Sequence, residues 1–128
     1  CRGPTVASVG GAAGLCGACP ARVAGNARKS CPTFAVQTGG ASVERVEGLP
    51  DEGDLAGLRA RFKKTHGLQC GYCPPGMLMT ADTFLQDAED PSRDEIREAI
   101  EGNLCRCTGY HNIVDAIEDT ARLAGQSQ

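Results

Sequence analysis

Four cysteines carry the clearest chemistry in this chain. They read Cys70-Gly71-Tyr72-Cys73, then a gap of 31 residues, then Cys105-Arg106-Cys107. A thiolate can bind a soft metal, exchange with disulfides or be oxidised to one, and spacing has to decide among these. Four thiolates satisfy either a tetrahedral zinc or a 2Fe–2S cluster. Zinc sites usually repeat Cys-x2-4-Cys in both halves, and a Cys-x-Cys second half is tighter than that habit. A disulfide pair is the bland alternative. A thioredoxin-like role for Cys70 and Cys73 lacks the βαβ surroundings such a motif needs. Gly71, Gly76 and Gly109 would let backbone amides approach the sulfurs, where N–H donors stabilise a cluster's charge and raise its potential.

A second set reads Cys16-Gly17-Ala18-Cys19, then eleven residues, then Cys31. Its spacing follows the plant-type ferredoxin order Cys-x4-Cys-x2-Cys…Cys, which requires a cysteine at position 11, where this chain has Gly11. Cys1 is the spare thiol, ten residues upstream. Ordering such a segment costs roughly 1–2 kcal/mol per residue, so Cys1 is expected to be a free thiol rather than a ligand. The first site is therefore expected to be missing, unstable or loosely held, and the second intact. His66 and His111 have no Cys-x-His spacing and read as surface or capping residues. Met77 and Met79 read as core filler.

The elements that must position these thiols change character along the chain. Residues 1–50 are rich in Gly, Ala and Val, with β character at Ala21–Val23, Phe34–Gln37 and Ser42–Val46 and turns at Gly25-Asn26 and Gly39-Gly40. Beyond Leu49-Pro50-Asp51 the period becomes helical. Leu55, Leu58 and Phe62 share a face, as do Met77, Ala81, Phe84, Leu85 and Ala88. Ile96, Ala99 and Ile100 form a third face, and Ile113, Ile117, Ala121 and Ala124 a fourth. Ser92-Arg93-Asp94-Glu95 fits a capping box. Cys70 and Cys73 fall between the first two helices, and Cys105 and Cys107 between the last two. Two helical hairpins would then bring four sulfurs together. The fourth helix would begin just after Cys107, aiming its N-terminal amides at the negative site.

Composition narrows the partners. The 128 residues are 41% hydrophobic but only 4% aromatic, with no Trp, so the core must rest on aliphatic side chains and Ala. A small aliphatic core gains from staples such as metals or disulfides, which eight cysteines can supply. A net charge of −3 argues against a nucleic-acid surface. The Arg59, Arg61, Lys63, Lys64 run and Asp87–Asp90 read as solvated helix faces and ends. No stretch approaches the ~18 apolar residues of a membrane span, and Cys1 to Gly14 holds no secretory core. A reducing, cytoplasmic location is expected, where clustered cysteines more often mean metal than disulfide. The chain begins at Cys1 rather than Met, which leaves room for an upstream segment.

Longer motifs around both sets resemble a known family. Gly14-Leu15-Cys16-Gly17-Ala18-Cys19, Lys29-Ser30-Cys31 and Ala35-Val36-Gln37 resemble the first-cluster loop of molybdenum hydroxylase iron–sulfur subunits. Gln69-Cys70-Gly71-Tyr72-Cys73-Pro74-Pro75-Gly76-Met77 and Gly102-Asn103-Leu104-Cys105-Arg106-Cys107-Thr108-Gly109-Tyr110 resemble the second-cluster motifs. These are the small subunits of the xanthine oxidase, aerobic carbon monoxide dehydrogenase and aldehyde oxidoreductase group. The similarity covers about residues 10–124. The chain departs from the pattern at Gly11, at Pro74-Pro75 where Thr-Pro is usual, and in lacking the strands and helix that precede the first loop.

The resemblance implies an α+β fold: a truncated ferredoxin-like β-grasp domain over residues 1–50, then a four-helix cluster-binding domain over 51–128. It implies one 2Fe–2S cluster on Cys70, Cys73, Cys105 and Cys107 and a first on Cys16, Cys19 and Cys31. Gln69 and Cys107 would lie against molybdopterin on a large partner subunit, with FAD on a medium subunit. The chain would relay electrons from molybdenum to flavin or another acceptor, as the redox subunit of an oxidoreductase that leaves substrate chemistry to its partner. A face around Gln69, Met77 and Tyr110 is the expected interface. A zinc-stapled interaction module and a free-standing ferredoxin-like carrier are the rival readings.

Overall fold

The computed structural model describes residues 11–48 and 54–125. Cys1 and the change of character near Leu49–Asp51 lie outside the described residues.

The first part is a small three-stranded antiparallel sheet. Strands β1 (Pro20–Val23) and β2 (Asn26–Lys29) form a hairpin, and β3 (Val43–Glu44) pairs on the other side of β1. The hairpin turn is Ala24-Gly25, one residue earlier than the Gly25-Asn26 expected, because Asn26 already pairs with Val23. Both turn residues have positive φ, +49° and +86°, the twist that suits a two-residue hairpin.

Phe34–Gln37 does not form a strand. Ala35–Thr38 is a 3-10 turn instead. Gln37 explains it: its side-chain Oε1 accepts from the Phe34 amide while its own amide donates to the Phe34 carbonyl. That local closure satisfies the backbone without a partner strand. The expected strand Ser42–Val46 shrinks to two residues, and Val46–Gly48 turns as a second 3-10 segment.

Four helices follow: α1 (Asp54–Lys64), α2 (Pro74–Asp87), α3 (Arg93–Ala99) and α4 (His111–Gly125). Leu58, Phe62, Met77, Ala81, Ile96, Ile100, Ile113 and Ile117 all point into one core, as their period requires. Val114 and Ala116 join them, and Met79 is fully buried beside Met77. Helix α1 lies on α4 and α2, α3 packs on α4, and α2 also covers β1.

Three of the helix ends have a local cause. Pro74 and Pro75 sit in the first turn of α2, where a missing N–H costs nothing. Ser92 and Glu95 close the expected capping box on α3. Helix α1 stops at Lys64, before His66. His66 takes φ +57°, and the Gly67 amide reaches the Phe62 carbonyl at 2.8 Å, a Schellman closure. Lys63 and Lys64 are solvated, whereas Arg59 is half-buried and reaches the Val46 carbonyl. Among the described residues, no helix is long and apolar enough to cross a membrane.

Candidate metal centre

Two loops carry the second cysteine set. Helix α1 ends at Lys64, and the chain runs through Gly67 and Gln69 to Cys73, the N-cap of α2. The α3–α4 connection carries Cys105 and Cys107. Both loops meet. Cys70 Sγ and Cys107 Sγ are 3.5 Å apart, and the Gln69 amide nitrogen Nε2 donates to the Cys107 carbonyl at 3.1 Å. Cys73 and Cys105 are the other neighbouring pair, close enough for each to shift the other's titration. The thiols thus stand as two pairs, each joining one loop to the other. A two-iron group takes two thiolates on each iron, so paired sulfurs match its donor set. Among the described residues, no three His, Cys, Asp or Glu side chains converge closely enough to hold one shared metal ion.

The pairs differ in environment. Cys73 is buried, and burial followed by the Cys105 thiol pushes it up to about 12. Burial would also push Cys105 up, but hydrogen bonds from the Thr108 hydroxyl and amide and the Cys107 amide hold it at about 7. Cys70 is exposed and held low, first by the Tyr72 amide and then by the Cys107 thiol. Cys107, also exposed, is raised by its bond to Cys70. Such N–H and O–H donors neutralise the charge that a metallated thiolate keeps.

The glycines act in two ways. Gly71 and Gly109 have φ of +81° and +67° with open space around a would-be Cβ, so backbone conformation requires them. Gly76 was expected to bring an amide to sulfur. It is a packing site instead: a Cβ there would lie 2.1 Å from the Gly17 carbonyl oxygen.

That contact ties the two cysteine sets together. The β1–β2 register pairs Pro20 with Lys29, so Cys19 and Cys31 lie just beyond the hairpin's open end. Ser30 Oγ donates to the Cys19 carbonyl at 2.8 Å, and Lys29 Nζ to the Gly14 carbonyl at 2.8 Å. Burial would raise Cys19, but hydrogen bonds from Cys31 and Ser30 hold it low. Cys31 is raised by burial and by Cys19, with the charge of Cys16 adding to it. Gly11 is exposed, and a Cβ there would meet nothing within 4 Å. The Gly17 carbonyl accepts from the buried Asn103 Nδ2 at 2.6 Å, and the Cys16 carbonyl accepts from the Leu104 amide at 2.8 Å. A Cβ at Gly17 would lie 2.2 Å from the Gly102 carbonyl oxygen. The first cysteine loop is thereby docked onto residues 102–104, immediately before Cys105.

The family model of the 2Fe–2S binding domain matches residues 45–118, more than half of the chain. This chain belongs to the 2Fe–2S-binding small-subunit family of molybdenum hydroxylases. It is 46% identical over 112 residues to the nicotine 6-hydroxylase small subunit of Paenarthrobacter nicotinovorans, covering 88% of this chain and 67% of that protein. It is 48% identical over 111 residues to the caffeine dehydrogenase subunit gamma of Pseudomonas sp. (strain CBB1), covering 84% and 66%. The chain thus spans about two thirds of the length of these relatives. Among solved structures it is similar to quinoline 2-oxidoreductase from Pseudomonas putida 86, with a TM-score of 0.84 at 47% identity, covering 93% of this chain and 74% of that one. The sheet and four helices are thus an arrangement this family shares.

Within the family's motifs, some placements were not legible in the sequence. Met77 was expected at a partner interface, but it is wholly buried in the core and cannot form one. Gln69 is exposed, and Tyr110 is half-buried, its Oη accepting from the Cys105 amide at 2.8 Å. Thr108, whose Oγ1 lies 3.1 Å from Cys105 Sγ, went unnoticed. A threonine three residues after a cysteine is the signal that could have found it, since Ser and Thr hydroxyls commonly reach back that far. His66 and His111 are both exposed, as expected.

Proposed function

We propose that this chain is the electron-relay subunit of a molybdenum-dependent hydroxylase or dehydrogenase. Cys70, Cys73, Cys105 and Cys107 hold one 2Fe–2S cluster in this reading, and Cys16, Cys19 and Cys31 supply three ligands to another. The observation that carries it is the pairing of four thiols from two loops separated by 31 residues, Cys70 with Cys107 and Cys73 with Cys105. A bound 2Fe–2S cluster supplies one-electron exchange. The chain's own residues hold the thiolates in place, direct amides and a hydroxyl at them, and shield the Cys73 side from water.

The exposed side of the second set is the side a partner would meet. Gln69, Cys70 and Cys107 lie open there, flanked by the exposed apolar Leu68 and Tyr72. We infer that Gln69 and Cys107 face molybdopterin on a large subunit. Leu15, Phe34 and Val36, exposed around the first set, would face an FAD-binding medium subunit. The sheet corresponds to a ferredoxin-like β-grasp unit over residues 1–50, and the helices to a cluster-binding unit over 51–128. A cytoplasmic location suits seven free thiols among the described residues. Neither rival reading is favoured: zinc asks four sulfurs to surround one point, and a simple carrier has no need of the helical unit.

Iron and acid-labile sulfide analysis with electron paramagnetic resonance of the reduced protein tests the proposal. Cys105→Ala should abolish one cluster signal and about two irons per chain. Unchanged signal and iron content would sink it.

A further inference from the structure

We propose that Thr108 is a positioning residue that sets the reduction potential of the cluster on Cys70, Cys73, Cys105 and Cys107, by donating its hydroxyl proton to Cys105 Sγ. The inference rests on the cluster reading above and adds to it a role for a residue that is not a ligand.

Three hydrogen bonds form a closed cycle that starts and ends on Cys105. The Cys105 amide donates to Tyr110 Oη at 2.8 Å. The Tyr110 amide donates to Thr108 Oγ1 at 3.2 Å. Thr108 Oγ1 lies 3.1 Å from Cys105 Sγ. The direction of the last bond follows from the other two. An amide only donates, so Tyr110 N–H occupies a lone pair of Oγ1 and leaves the hydroxyl proton to point elsewhere. A metal-bound thiolate has no proton to give. The hydroxyl must therefore be the donor and the sulfur the acceptor.

The backbone is bent to make this possible. Gly109 and Tyr110 take consecutive left-handed conformations, at φ +67° and +69°. That is uncommon for an aromatic residue and marks a loop held by its surroundings. The bend returns the Tyr110 amide to Thr108 and its ring to Cys105. It also engages the Cys105 amide with a phenol oxygen, so that amide is committed away from sulfur.

A donor aimed at a thiolate favours the state with more negative charge. The reduced cluster carries one more electron than the oxidised one, so the hydroxyl stabilises it more and the potential rises. Cys105 belongs to the pair shared with buried Cys73, where water supplies fewer donors than at exposed Cys70 and Cys107. One fixed hydroxyl therefore counts for more at Cys105 than it would on the open side.

The test uses the assembled complex with Thr108→Val, which keeps the shape, and Thr108→Ser, which keeps the hydroxyl. Midpoint potentials are read by potentiometric titration followed by paramagnetic resonance. The valine variant should move this cluster's midpoint to more negative potential, leave any other cluster's midpoint in place, and lack one proton coupling that in the parent is present in ordinary water and disappears in heavy water. The serine variant should keep the parent's midpoint and that coupling. A fully iron-loaded valine variant with the parent's midpoint overturns the inference. If valine blocks iron uptake while serine loads normally, the hydroxyl requirement stands; if both fail to load, the role is one of shape and the inference falls. Absence of iron and sulfide from the unmodified protein would instead overturn the cluster reading itself.

Discussion

At the scale of single residues, the site depends on groups that are not ligands. Gly17 takes φ +64° against the Gly102 carbonyl, a place closed to any side chain. Gly11 is the opposite case. It stands where the ferredoxin spacing wants a thiol, yet it is exposed and has room for a side chain. Gly11→Cys should therefore be accepted by the fold and raise iron from about two to about four per chain. Four irons already present in the unmodified protein, with Cys1→Ser making no difference, would show that Gly11 deprives the site of nothing. That Cys70, Cys73, Cys105 and Cys107 belong together was legible because their spacing sets two short cysteine pairs in two loops. Thr108 and Asn103 were not, because a hydrogen bond to a neighbouring loop leaves no period in the sequence.

At the scale of elements, an ion pair joins sheet to helix. Arg22 on β1 pairs with Asp82 on α2, and also reaches Glu44 on β3 at 3.3 Å. Asp82 is buried, its Oδ2 also accepting from Gln86 Nε2 at 3.4 Å, and Arg22 is largely covered. Removing the carboxylate leaves a guanidinium under α2 without its nearest counter-charge. Asp82→Ala should cost about 3 kcal/mol, as breaking a buried pair does, seen as a lower unfolding midpoint in denaturant with iron content retained under native conditions. A loss under ~1 kcal/mol would place Arg22 in solvent in solution. The helices were readable from the sequence because each buries one stripe, and Leu58, Phe62, Ile96, Ile113 and Ile117 mark those stripes. The short strands were harder. Two residues of β3 carry no alternation to detect, and Gln37 closes a turn where Val36 and Phe34 suggest a strand.

At the scale of the whole molecule, both cysteine sets lie near exposed apolar side chains. Leu15 is 74% exposed, Phe34 72% and Val36 86% near one set; Leu104 is 57% exposed between the two. Apolar area on that scale is what partner subunits cover. Amide exchange across Leu68–Tyr72 should slow on assembly with the large subunit, whereas exchange at Met77, already in the core, should not change. Equal exchange at Leu68–Tyr72 in the free and assembled chain would rule out that face.

The bond from the Leu104 amide to the Cys16 carbonyl has a consequence for speed. Electron tunnelling weakens exponentially with distance, so a relay is only as constant as the gap it crosses. Here the two cysteine loops are held by main chain against main chain and by the buried Asn103 side chain on the Gly17 carbonyl, and Gly17 itself brings no side chain that could change rotamer. Surface substitutions can alter what docks and how tightly, but they cannot lengthen this crossing. Where both sites hold clusters, as in a Gly11→Cys variant, the rate between them should be the property that drifts least as the sequence diverges.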